Sequence, residues 1–264
     1  MLSNLRQLFR YRGLIQILVT RDLKARYRGS VLGFVWSFIN PLLLLLVYSF
    51  VFTYIMRRGE EVDLEPYAVF LFCGLLPWTW FSSALSEGAN ALIVGGNLIK
   101  KIMFPAEILP VVAVISNMIH FLFGLPILIG FLWWYAIPLR LTELVWFPLV
   151  MAVQFILSLG LVMVLAAMTV HFRDIKDLLA NVLTLWFFAS PIIYPMSALS
   201  GNLRFWMDFN PFAHLAISYQ EILFYDGPFG HWRWLLALAA AGTVMFLLGY
   251  WLFDRLRDSF ADEV

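Results

Sequence analysis

Long apolar runs separated by short charged clusters set the pattern of this chain. Residues 31–56, 66–86, 144–170, 178–200 and 234–253 contain no Asp, Glu, Lys or Arg. Residues 108–135 carry only His120. Each run reaches or comes close to the roughly 20 apolar residues that a bilayer-spanning helix needs. The pattern predicts an all-α integral membrane protein with six transmembrane helices, at about 31–56, 67–87, 108–135, 144–170, 178–195 and 234–253. It also predicts an amphipathic interface helix in residues 1–30, ahead of a transmembrane domain in 31–264, and short re-entrant helices before the last span.

The polar segments differ in kind. Within residues 3–28, Leu5, Leu8 and Phe9 form one apolar patch and Leu14, Ile15 and Leu18 a second. Arg21, Lys24 and Arg28 fall on one helical face. Asp22 and Arg26 are spaced for an i,i+4 pair. This basic helix is read either as an anchor on anionic lipid or as a cradle for an anionic head group. Span one contains Asn40-Pro41, and proline frees a carbonyl that must find a partner inside a membrane. That predicts a helix facing protein or a pathway rather than bulk lipid.

Between spans two and three, Gly95-Gly96 breaks one helix and Asn97 is placed to cap a short new one. Leu98, Ile99, Ile102 and Met103 form its stripe, with Pro105 at its end. It either lies on lipid or seats in a partner. Glu107 opens span three, where a carboxylate suits the positive helix end. Between spans four and five, His171-Phe172-Arg173-Asp174-Ile175-Lys176-Asp177 forms a tight turn that is expected to be rich in ion pairs. Its charges are either ordinary surface or a partner contact.

Span five stops at Ser190-Pro191-Ile192-Ile193-Tyr194-Pro195, and Asn210-Pro211 starts another helix. Phe212, Leu215, Tyr219 and Ile222 make one stripe of that helix. His214, Ser218, Glu221 and Tyr225 make the other. A segment of about 14 residues is too short to span, so residues 195–228 are expected to plug or line something.

Composition agrees with the pattern: 62% of the 264 residues are hydrophobic and 13% charged. A water-soluble fold cannot hide that much apolar surface. Six spans put Arg6, Arg10, Arg12, Arg21, Lys24, Arg26, Arg28, Lys100, Lys101, Arg173, Lys176, Arg255 and Arg257 on one side. Arg57, Arg58, Arg140, Arg204 and Arg233 fall on the other. The bias makes the termini cytoplasmic. The lone Cys73 excludes a disulfide framework. The phosphate-cradling loop of P-loop ATPases and the His-Glu-x-x-His motif are both missing. His120 is the ionisable group nearest the middle of a span, and it is read first as a neutral hydrogen-bonded histidine. Glu87, at the end of span two, is read as a pairing or coupling residue.

The chain has 25 Phe, 11 Trp and 10 Tyr. Trp78, Trp80, Trp133, Trp134, Trp146 and Trp206 suit interfacial belts. Trp36, Tyr48, Phe52, Trp186, Phe187, Phe188 and Tyr194 lie deeper or near kinks. Such rings either pack against lipid or line a pathway and stack on sugar faces.

Several motifs in order resemble ABC-2-type permeases. They are the basic N-terminus, Arg26-Tyr27-Arg28-Gly29-Ser30-Val31-Leu32-Gly33 with Trp36 and Pro41, His171-Phe172-Arg173-Asp174-Ile175, the Ser190–Pro195 stop and Asn210-Pro211. The likeness is to membrane subunits of O-antigen, teichoic acid and capsular polysaccharide exporters.

The resemblance implies a homodimer in a bacterial inner membrane and two copies of a separate P-loop ATPase. That partner, not this chain, would bind ATP and Mg. No metal, cofactor or nucleic acid is expected here, and no catalytic residue. By likeness, Asn97, Leu98, Lys100, Lys101 and Phe104, with Arg173 and Asp174, would contact the ATPase. Arg21, Lys24, Arg26 and Arg28 would lie near the pyrophosphate of a lipid-linked polysaccharide. Pro191, Pro195, Asn210 and Pro211 would frame an external gate, and the seven deeper aromatics would line the channel.

Three rivals stand beside this expectation. An ABC-2 permease for drugs or lipids would favour large external domains or a fused ATPase. A membrane-embedded glycosyl- or acyltransferase would need acidic or His clusters at the membrane surface. A secondary transporter would want inverted repeats and buried charges.

Overall fold

In the computed structural model the described residues are 10–51, 66–100 and 104–263, and their regular structure is all helix, with no strand among them. Helices α1 (Arg12–Tyr27) and α2 (Trp36–Phe50) come first. They are followed by α3 (Tyr67–Val94), the one-turn α4 (Gly96–Ile99), α5 (Ile108–Trp134) and α6 (Leu141–Leu144). Next come α7 (Phe147–His171), α8 (Ile175–Phe188) and α9 (Gly201–Met207). The last are α10 (Pro211–Leu223), α11 (Trp232–Leu256) and α12 (Phe260–Glu263). Leu5, Leu8, Phe9, Phe52, Lys101, Ile102 and Met103 lie outside the described residues.

Among the described residues, four stretches are long and apolar enough to cross a membrane: Tyr67–Val94, Ile108–Trp134, Leu141–His171 and Trp232–Ser259. α2 and α8 are shorter, at 15 and 14 residues. At 1.5 Å per residue each covers a little over 20 Å, less than the ~30 Å hydrocarbon core. α8 is short because the chain leaves the helix at Ala189, just ahead of Pro191.

α3 is the hub, touching α2, α5, α7, α8 and α10. Phe70, Leu71, Phe72, Trp80, Phe81 and Leu85 on it are all at most 1% exposed. The belt assigned to Trp78 and Trp80 is therefore corrected. Trp80 lies in the core and donates to the Val114 carbonyl at 3.3 Å, and Trp78 packs edge-on against Phe212. Trp133, Trp134 and Trp206 remain exposed, as a belt requires.

α7 and α11 run parallel and cross where glycines remove the side chains. A Cβ on Gly160 would sit 2.6 Å from the Phe246 nitrogen, and Gly249 meets the Gly160 carbonyl. Small residues let membrane helices approach this closely.

The 28 residues of α3 hold its two ends roughly 42 Å apart. Near its start, Tyr67 binds the Ile193 carbonyl and Phe70 meets Phe224 and Tyr225, so the segments around α9 and α10 gather there. Near its finish, Glu87 contacts Arg26 of α1. The segment after α11 returns to this second end through Arg257 and Glu107. Both ends of the described chain thus lie at one end of the bundle.

Candidate functional site

At the hairpin end, Asn210 organises the exit from α8. Its side-chain oxygen accepts from Phe212 and Ala213 backbone N–H at 3.0 and 3.2 Å, capping α10 as its position predicts. The same oxygen accepts from Trp186 Nε1 at 2.7 Å. The Asn210 amide donates to the Ala189 carbonyl at 2.9 Å and Ser190 Oγ at 3.0 Å. Other carbonyls freed by the proline stop are also satisfied. Gln220 donates to Pro191 O and Tyr194 OH to Phe188 O, at 2.9 and 3.0 Å. Asn210 and Gln220 thus knot the end of α8 and Pro191 to α10, with Pro191 and Pro195 buried and Asn210 and Pro211 half-buried.

α10 departs from its predicted two-faced character. Phe212, Leu215 and Tyr219 are fully buried, but so are His214 (6% exposed) and Ser218. Buried polar groups need partners, and His214 finds three. Its Nδ1 lies 2.9 Å from His231 Nε2, its Nε2 lies 3.0 Å from the Asp208 carbonyl, and its ring stacks on Trp234 at 4.5 Å. Burial, and then the neighbouring His214, lower the His231 pKa to about 4. Glu221 holds the Gly230 and His231 N–H groups at 3.0 Å each, and burial raises its pKa. Arg140 pairs with Asp226 at 3.1 Å, and Glu143 accepts from the Phe229 N–H at 2.8 Å. The α10–α11 connection is thus tied down along its length.

At the opposite end, the predicted Asp22–Arg26 pair forms at 3.2 Å. Arg26 also reaches Glu87, and Asn117 lies 3.4 Å from it. Asn117 in turn donates to Glu87 at 2.7 Å. Glu87 is thus a pairing residue that joins α1 to α3 and α5. Leu18 and Val19 of α1 bury against Ile108 and Val112, so the apolar face of α1 docks on α5. Arg21, Lys24 and Arg28 line an open groove of about 620 Å³ that Arg26 does not line.

A larger cavity of about 970 Å³ lies between α1, α3, α4 and α5. Arg21, Arg26, Glu87, Asn90 and Asn97 are on its wall. A third, of about 540 Å³, is lined by Trp36, Asn40, Pro41, Asn117 and His120. The proline-bearing stretch of α2 faces that cavity, and Leu43, Leu46, Val47 and Phe50 are exposed.

The predicted pathway aromatics split into groups. Trp36 donates to Ser30 Oγ at 3.0 Å and lines the 540 Å³ cavity. Tyr48 meets Phe187 at 5.8 Å. Trp186 and Phe187 belong to a cluster with Trp78, Phe81 and Phe212. Phe187 is buried at 6% exposure, whereas Phe188 is 55% exposed.

In the predicted partner-contacting segment, α4 is capped by Gly95, with Asn97 inside its first turn and not at the cap. Asn97 and Lys100 are exposed, while Leu98, Ile99 and Phe104 pack on the core. Arg173 and Asp174 are exposed and form no ion pair among the described residues, contrary to the turn's expected character. The turn is closed instead by backbone bonds, including Ile175 N–H to the Phe172 carbonyl at 3.2 Å.

The pattern of charges passed over Asn117, Gln220 and His231, and it read Glu107 only as a helix-end carboxylate. An amide inside an apolar run was the available signal for the first two.

This layout was compared with known proteins. A family model described as ABC-2 type transporter matches residues 13–224. The O-antigen export system permease protein RfbA of Myxococcus xanthus is 39% identical over 266 residues, covering 100% of both chains. A protein of the same name from Klebsiella pneumoniae is 31% identical over 249 residues, 94% of each chain. The polysialic acid transport protein KpsM of Escherichia coli is 23% identical over 208 residues, 78% of this chain and 80% of KpsM. The matched region runs from α1 through α10, taking in both ends of the bundle. The chain belongs to the ABC-2 type transporter family.

Proposed function

We propose that this chain is the membrane subunit of an ATP-driven exporter that carries a lipid-linked polysaccharide of the O-antigen kind outward across a bacterial inner membrane. The observation that carries this reading is the end-to-end correspondence with a protein named as an O-antigen export permease. The four long helices, with α2 and α8, make six crossings. The buried turn after Phe188 extends the crossing of α8. Both termini are cytoplasmic, in keeping with the excess of Lys and Arg at that end.

The motor is a separate P-loop ATPase, present twice. It meets α4 through Asn97, Leu98, Lys100, Lys101 and Phe104, and the α7–α8 turn through Arg173 and Asp174. The groove of Arg21, Lys24 and Arg28, with Arg26 beside it, receives the phosphates of the carrier lipid. The exposed apolar positions of α2 and α8, including Leu46, Val47, Phe50, Leu185 and Phe188, are covered by or face a second copy. The Pro191, Pro195, Asn210 and Pro211 knot forms the outer gate.

ATP binding closes the partner dimer and pushes on α4. Only Gly95 separates α4 from α3, and α5 follows α4 in the chain, so the push reaches the hub of the bundle. Weak, repeated stacking on rings such as Trp36, Tyr48, Phe52, Trp186, Phe188 and Tyr194, with Phe187 behind them, suits a sliding polymer better than one tight site.

Disrupting the gene tests the reading. Undecorated cell surfaces with lipid-linked glycan accumulating inside are expected, restored by the wild-type chain. Normal surface polysaccharide in the disrupted strain would refute it.

A further inference from the structure

The segment after α11 makes two long-range contacts of its own. Arg257 Nη2 lies 3.3 Å from Glu107 Oε2. Glu107 is 2% exposed and stands immediately before α5, at the joint with α4. The contact has ion-pair distance without hydrogen-bond alignment, since neither Glu107 oxygen has a hydrogen-bond partner. A buried carboxylate depends strongly on such a counter-charge.

Two residues on, Ser259 Oγ lies 3.1 Å from His171 Nε2, at the end of α7 where the α7–α8 turn begins. The hydroxyl also donates to the Leu256 carbonyl at 2.7 Å, which fixes its position. Phe260 is fully buried, 5.0 Å from Phe253 and 6.4 Å from the His171 ring. α12 then packs against both α4 and α7. One short segment thus grips the α4–α5 joint with a charge and the α7–α8 joint with a hydroxyl and a ring.

We infer that residues 257–263 are a brace that fastens the α4–α5 joint to the α7–α8 turn, with Arg257 and Ser259 as its positioning residues. The two surfaces that receive the ATPase then move as one body, and a push on α4 is delivered also to α8. This inference rests on the proposed ATPase-driven reading for its purpose, but its geometry does not. Without the brace, α4 is a single turn held by its own packing. A push on it would then reach α3 and α5 along the chain but would not be shared with the α7–α8 turn.

The test uses the full chain in lipid nanodiscs and in proteoliposomes with its P-loop ATPase and lipid-linked glycan. Arg257→Gln removes the counter-charge. Glu107→Gln with Arg257→Gln removes the contact without stranding a buried charge, and so guards against a folding defect. Ser259→Ala loosens the second joint, and Arg257→Lys is the conservative rescue.

In nanodiscs, amide exchange at residues 96–99 is expected to quicken in the double variant and to stay near wild type in Arg257→Lys. In proteoliposomes, glycan moved per ATP hydrolysed is expected to fall about fivefold or more in the double variant, the lower end of ordinary inter-site coupling. ATPase docking is expected to persist. Unchanged exchange at 96–99 would overturn the brace. Quickened exchange with unchanged glycan per ATP would overturn its transmitting role. A wild-type chain that moves no glycan with its ATPase refutes the exporter reading, and the exchange result then decides the brace by itself.

Discussion

Among single residues, Asn210 carries the most connections at the hairpin end. It caps α10, accepts from Trp186 and holds Ala189 and Ser190. Asn210→Ala removes the cap and strands the indole N–H, which together cost about 2 kcal/mol. The variant should melt several degrees lower in detergent, with faster protease cleavage between 195 and 210. Melting and cleavage equal to wild type would contradict the assignment.

His231 gives a pH signature. Its ring is held neutral, with a pKa of about 4 against an ordinary 6.5. The unfolded chain therefore takes up a proton first as pH falls. The stability this group contributes is complete above about pH 6.5 and is lost progressively towards pH 4. Wild-type melting temperature should drop across that window, and His231→Gln, which keeps a donor for His214, should flatten part of the drop. Identical pH profiles would remove His231 from the account. The Asn-Pro cap was legible because a local motif dictates it. The His214–His231 pair was not, because residues 17 apart meet only through the return of the α10–α11 connection.

On the scale of helices, the sequence pattern placed the long apolar elements well and their faces poorly. Trp78 and Trp80 look like belt residues but are buried. Lipid tails and protein core are equally apolar, so α3 offers no polar contrast to say which side faces which. α8 ends early for a local reason, the approach of Pro191, which was readable. The capping of α4 by Gly95 was not, since Asn97 has the better cap chemistry and only backbone geometry decides.

Helix pairing leads to another expectation. Gly160→Ala sets a Cβ 2.6 Å from backbone of α11, and such overpacking costs about 1–3 kcal/mol. Gly130→Ala, with nothing within 4 Å, should leave the melting temperature unchanged or slightly raised. Thermal melts of the two variants decide the point: a tolerated Gly160→Ala would mean that α7 and α11 do not cross as described.

For the molecule as a whole, the proposed function is that of a conduit driven by a separate ATPase. The polar chemistry lies at the two ends of α3, joined by a hydrophobic hub. One end presents cations and the exposed face of α4. The other presents a knotted, proline-bounded hairpin. The order of motifs revealed this arrangement in the sequence, while the Arg26–Glu87–Asn117 network and the Arg257–Glu107 contact depended on long-range packing.

The most direct measurement is reconstitution of the purified chain in proteoliposomes loaded with lipid-linked glycan, with and without its P-loop ATPase. The account predicts no ATP hydrolysis by the chain alone, and ATP-dependent movement of glycan across the bilayer only when both proteins are present. Hydrolysis by the chain alone, or glycan movement without the ATPase, would contradict it.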